Sequence, residues 1–160
     1  NNKKERYVRP EEMQRLYEAV QASSNPMLQY IVAFLLLTGA RRNEVLHATW
    51  ADFDLERGNW RIPETKSGHA RHVPLNDGAL RLLQTVRGAS CSEHVFGNPQ
   101  TQKPYRHIYS AWNKARIAAG MPDVRLHDLR HTFASLLVYA GTPARASATS
   151  FWSSLSQASL

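Results

Sequence analysis

A mostly α-helical domain with one small antiparallel sheet is the fold the sequence predicts, and three observations predict it. Apolar residues recur at helical spacing through most of the chain. The period falls to alternation in one stretch, residues 59–76, with a turn at its middle. The 160 residues, 42% of them hydrophobic, can bury one sizeable core, and no apolar run is long enough to span a bilayer.

Each element follows from its own signals. "RPEEMQRLYEAVQAS" opens on a proline, carries acids in its first turn and sets Met13, Leu16, Tyr17 and Val20 at helical spacing. "SSNPMLQYIVAFLLLTGA" is predicted as a buried helix with Asn25 as N-cap, Pro26 first and Gly39 as its stop. A third helix is expected over "RRNEVLHATWADFD", with Val45, Leu46, Trp50 and Phe53 along one side. "GNWRIPETKSGHARHVPLN" then reads as two strands, Trp60 to Pro63 and His72 to Leu75, joined by a turn around Ser67 and Gly68. "DGALRLLQTV" returns to helix, and "EHVFGNPQTQKPY" is a short strand and a polar loop. "RHIYSAWNKARIAAGM" is a helix ending at Gly120, and "HDLRHTFASLLVYAG" a last one closed by Gly141. Residues 1–143 thus form one patterned domain. Residues 144–160 are an atypical tail, rich in Ser and Ala, without apolar period or caps.

Composition narrows the function classes. Lys and Arg outnumber Asp and Glu by 20 to 13, a net charge of +7 that fits a polyanionic partner such as nucleic acid. The single cysteine, Cys91, cannot close an internal disulfide, and the charged opening "NNKKERYVRPEE" lacks the apolar core of a signal peptide. A cytoplasmic location without membrane contact is the expectation.

Three clusters could carry chemistry. His127, Arg130 and His131 share a helix face, held to the core by Leu129, Phe133, Leu136 and Leu137. Two histidines four apart can ligate zinc, but the adjacent glutamate and third ligand of a zinc hydrolase are missing, so no metal is expected. Arg41 and Arg42 open a helix, where backbone N–H groups and a guanidinium fork both favour a phosphate. Lys66 stands on the hairpin turn beside Ser67 and Gly68 as a mobile proton donor.

The three clusters occur as "TGARRNEVLHATWADFD", "TKSGHARHVPL" and "LHDLRHTFASLLVYAG", and in this order and spacing the chain resembles the catalytic domain of the tyrosine recombinases, of the phage-integrase and Xer type. The resemblance covers residues 8 to 143. It implies a DNA breaking-rejoining enzyme fold and site-specific DNA recombination or integration through a 3′-phosphotyrosyl intermediate. It further implies that Arg41, Lys66, His127 and Arg130 are catalytic and that Glu44 and His131 support them. Arg42, His69 and Arg71 are expected at the DNA, with double-stranded DNA as partner, a homo-oligomer assembled on it in the intact family member, and no cofactor.

The same resemblance locates departures. The family's nucleophilic tyrosine falls at or just beyond Leu160, and no tyrosine follows Tyr139, so the nucleophile is unassigned and the chain is expected to be inactive alone. Trp152 stands near a place where the family carries histidine or tryptophan, but within "ATSFWSSLSQ" rather than an apolar helix. Two readings of the tail stay open: a frameshifted copy of the usual ending, starting near Pro143, or a natural divergent tail, disordered or swapped onto a partner. The separate helical DNA-binding domain that precedes the family's catalytic domain is also not found. The alternative function is a non-catalytic DNA-binding or regulatory remnant of an integrase.

Overall fold

In chain order the elements are α1 (Pro10–Gln21), α2 (Leu28–Thr38), α3 (Arg42–Leu46), β1 (Phe53–Asp54), β2 (Asn59–Ile62), β3 (Arg71–Pro74), α4 (Asp77–Ala89), α5 (Tyr109–Ala118) and α6 (Leu126–Tyr139). This computed structural model describes residues 6–63, 68–90 and 92–139, the last six by backbone alone. The strands form one antiparallel sheet in the order β1-β2-β3. Among the described residues no helix is long and apolar enough to cross a membrane.

α2 is apolar all round because it is buried all round. Ile31, Val32, Phe34 and Leu35 are each at most 1% exposed, and α1, α3, α4 and α6 all pack against this helix. Its partners meet it with single stripes. α1 buries Met13, Leu16, Tyr17 and Val20, and α4 buries Ala79, Leu82, Leu83 and Val86. The sheet joins the same core through aromatic contacts. Phe53 and Trp60, paired across β1 and β2, stack with centroids 5.4 Å apart, and Phe34 of α2 lies 5.3 Å from Trp60.

Four expectations need correction. Asn25 does not cap α2; its side-chain oxygen accepts the Met27 N–H at 2.9 Å in a local turn, and the helix starts at Leu28 with Met27 as N-cap. The third helix stops after Leu46 instead of running to Asp54. There the backbone pairs with residues 93–95, Val95 N–H donating to Ala48 O and Trp50 N–H to Glu93 O. Trp50–Asp52 is one 3-10 turn and Phe53 opens a strand, so the helical spacing of Trp50 and Phe53 came from a shared core rather than a shared helix. Both hairpin strands lie one residue earlier than expected; Pro63 has no amide with which to extend β2. The strand expected around Val95 is an isolated bridge, Thr49 to His94. Gly141 lies outside the described residues.

The placement of α6 rests on two contacts. Gly39 ends α2 in the left-handed conformation at φ 67°, and a Cβ there would lie 2.2 Å from Cδ1 of Phe133. On another side, Val8 N–H donates to Thr132 Oγ1 at 3.0 Å, and that hydroxyl donates to Asp128 O at 2.9 Å. The segment before α1 is held in turn by Arg6, which bridges the buried Glu12 and Asp123, at 2.8 Å each.

Gly39→Ala should therefore lower stability by at least about 2 kcal/mol, from left-handed strain plus overlap with Phe133, read as a fall in Tm. Hydrogen bonding from Arg6, reinforced by Arg9 and opposed by burial, holds the Glu12 carboxyl at about 2, below its ordinary 4.5. The stabilisation is complete above the ordinary value and disappears as pH falls through the depressed one. Melting scans should show a loss between about pH 4.5 and 2 that Glu12→Gln largely removes, the variant being less stable at neutral pH.

Candidate functional site

Three helices start in the same way, with an arginine at the N-cap and a carboxylate three residues on. The Arg9, Arg41 and Arg125 N–H groups donate to Glu12 at 3.0 Å, Glu44 at 2.8 Å and Asp128 at 2.8 Å. The acid satisfies an orphan amide and complements the helix dipole. Its chain turns inward, Glu12 to 2% and Asp128 to 0% exposure, while the arginines stay at the surface. The pattern R-x-x-E/D thus delivers cations to the rim of the fold at fixed places.

Two of these starts, those of α3 and α6, face each other across a groove of about 1040 Å³. Arg41, Arg42 and Glu44 of the α3 start form one wall, and Leu126, His127 and Arg130 of α6 another. Trp60, Ile62 and Pro63 close it from β2 and the residue that follows. Because Phe133 sits on Gly39, Arg130 is brought toward Arg41, two residues beyond that glycine.

Arg130 is half-buried. Burial first, and then the neighbouring positive charges of Arg41 and Arg71, disfavour its cationic form, with Glu44 opposing. An arginine stays charged under such pressure, so the groove holds a cation in want of an anion. Glu44 is tied on two sides: its Oε1 accepts the Arg41 N–H and, at 2.7 Å, Nη2 of Arg71 from β3.

The structure therefore brings Arg41, Arg42, Glu44, His127 and Arg130 together. His131 stands next to His127, ring centroids 5.0 Å apart and nearly perpendicular, but off the groove lining. Arg71 reaches the site through Glu44, and His69 lies exposed on the hairpin. Lys66 and Trp152 lie outside the described residues, although Pro63, three positions before Lys66, is on the groove wall. Among the described residues no three His, Cys, Asp or Glu side chains gather as a metal site.

Sequence reasoning missed His47, Asp52 and Trp60 on the lining. His47 Nδ1 lies 2.9 Å from Asn43 O, and Asp52 accepts from the Thr49 hydroxyl at 2.9 Å. The position of His47 three residues after Glu44 was a signal for it. Asp52 and Trp60 depend on the chain reversal after Leu46.

The family model described as "Phage integrase family" matches residues 6–156. The integrase of Salmonella phage P22 is 37% identical over 155 residues, covering 89% of this chain and 39% of that protein. The tyrosine recombinase XerA of Saccharolobus solfataricus is 30% identical over 128 residues, covering 79% of this chain and 42% of that one. The chain thus spans well under half the length of these relatives. Among solved structures, lambda integrase bound to DNA matches with a TM-score of 0.72 at 19% identity, over 88% of this chain and 54% of that one. The catalytic domain of bacteriophage HP1 integrase matches at 0.60 and 24%, over 93% and 87%. These likenesses establish a shared fold.

Proposed function

Since the chain belongs to the phage integrase family, we propose that its groove binds one phosphodiester of double-stranded DNA and belongs to a machine for site-specific recombination or integration. The convergence of Arg41 and Arg130, from separate helices, on one groove carries this reading. A tyrosine oxygen attacking a DNA phosphorus passes through a phosphorane-like state whose non-bridging oxygens gather negative charge. Two preorganised guanidinium groups can stabilise it without a metal. Such arginine contacts are worth roughly a thousandfold or more in rate.

The proton steps follow from the remaining side chains. His127, exposed beside Arg130, takes the proton of the attacking tyrosine. Lys66 protonates the departing 5′-oxygen. The products are a 3′-phosphotyrosyl bond and a free 5′-hydroxyl, and the retained bond energy lets the strand rejoin another end. Arg42 contacts backbone phosphate at the groove rim. On DNA the intact protein works as a homo-oligomer, in the cytoplasm.

None of the five tyrosines whose side chains the structure describes, Tyr7, Tyr17, Tyr30, Tyr105 and Tyr109, lines the groove. We therefore read the 160-residue chain as binding DNA without cutting it by itself. A second reading is a remnant of an integrase kept for DNA binding alone. The tail 144–160 as a frameshifted ending belongs to either reading. Translating the coding DNA beyond Gly141 in all frames tests it: another frame should continue into an apolar helix with a tyrosine.

Two outcomes test the main proposal. Affinity for a duplex oligonucleotide should fall by roughly two orders of magnitude between 50 and 200 mM salt if three or four phosphates are neutralised. Arg41→Gln and Arg130→Gln should each weaken it further, and a salt-insensitive isotherm would refute groove binding. On a nicked suicide substrate the chain alone should give no covalent adduct. Adding a relative with its tyrosine but without its clamp arginines should restore cleavage under the recombinase reading and leave none under the remnant reading.

A further inference from the structure

Arg71 lies on β3, 27 positions from Glu44, and its Nη2 donates to Glu44 Oε1 at 2.7 Å. That oxygen also accepts the backbone N–H of Arg41. One carboxylate oxygen therefore joins the hairpin to the first turn of the arginine-bearing helix. The Glu44 end of the pair is set in the protein, while the Arg71 side chain is 38% exposed. The Glu44 side chain is 10% exposed, and Glu44 Oε2 and Arg71 Nε are buried with no hydrogen-bond partner among the described residues.

We propose that Arg71 is a positioning residue, holding β3 against the α3 start of Arg41 through Glu44, and does not itself contact DNA. This inference rests on the phosphodiester reading of the groove. A carboxylate beside two phosphate-binding arginines is a hazard. Left unpaired, it would turn to Arg41 or Arg130 and occupy the fork meant for phosphate, and its charge would repel the ligand. Arg71 opposes both effects by engaging the carboxylate through Nη2. The same bond couples two segments that are far apart in sequence, so β3 and the helix start that carries the arginine move as one body.

Two measurements on the 160-residue protein test this, one with a duplex oligonucleotide and one without. Arg71→Gln should weaken duplex binding about tenfold at fixed salt, yet leave the slope of log affinity against log salt unchanged, because no phosphate contact is lost. In an E44Q background the same substitution should do nothing further, and Arg71→Lys should recover part of the loss. A slope smaller by about one unit, or effects that multiply in the double variant, would make Arg71 a direct DNA ligand and overturn the proposal. In the free protein, R71Q should speed amide hydrogen exchange at Arg41 and along β3 about tenfold, and R71K less. Unchanged exchange overturns the coupling whether or not DNA binds. Failure of the parent chain to bind any duplex would instead remove the phosphodiester reading, with the exchange result still deciding the coupling.

Discussion

Phe133 lies against the bare backbone of Gly39, and the geometry of the groove depends on that close approach. Any side chain at position 39 would hold α6 away from the end of α2. Because Gly39 also takes the left-handed turn that ends α2, one residue stops a helix, redirects the chain into Arg41 and admits the partner helix. Arg130 stands three residues before Phe133, one helical turn away, so the spacing between the two arginines is fixed by apolar packing. The charges themselves would spread the two helices apart. A packed aromatic contact with few alternatives is a suitable restraint for a pair of groups that repel.

The carboxylates complete this division of labour. Glu12, Glu44 and Asp128 each satisfy an amide at a helix start, and each is drawn toward the interior while its arginine stays outside. Acidic charge is thereby spent on structure and basic charge is left for the surface, which sharpens a net +7 into a local field. The segment before α1 adds a second layer. Val8 bonds to Thr132, and Arg6 bonds to both Glu12 and Asp123, so the chain before the first helix, the loop before the last one and α6 itself form one connected region.

Much of this was legible in the sequence where a single cause produced the pattern. α1 and α4 show plain amphipathic spacing, and α2 announces its burial by having no polar face. That Arg41, Glu44, His127 and Arg130 come to one groove follows from motifs at two helix starts, whose local structure fixes their direction. Val45, Leu46, Trp50 and Phe53 misled because one core was served from a helix, a 3-10 turn and a strand, and a period of 3.6 cannot distinguish that from one helix. Asp52 and Trp60 were hidden for the same reason, since their place on the lining follows from the break after Leu46 and its pairing with residues 93–95. Arg71 reads from the sequence as a residue at the DNA. Its pairing with Glu44 is a long-range contact that no local pattern encodes.

Arg130, pressed by burial and by the charges of Arg41 and Arg71, has a thermodynamic consequence. The folded chain without a ligand carries electrostatic frustration, and on the proposed reading of the groove it is a phosphate that would relieve it. Local disagreement of this kind is expected where a structure is shaped for a ligand rather than for its own stability. An anion seated in the groove therefore does more than occupy it. By relieving the repulsion it shifts the folding equilibrium toward the native state, so that binding and folding become linked quantities. The groove is then a place where the fold is completed by what it holds.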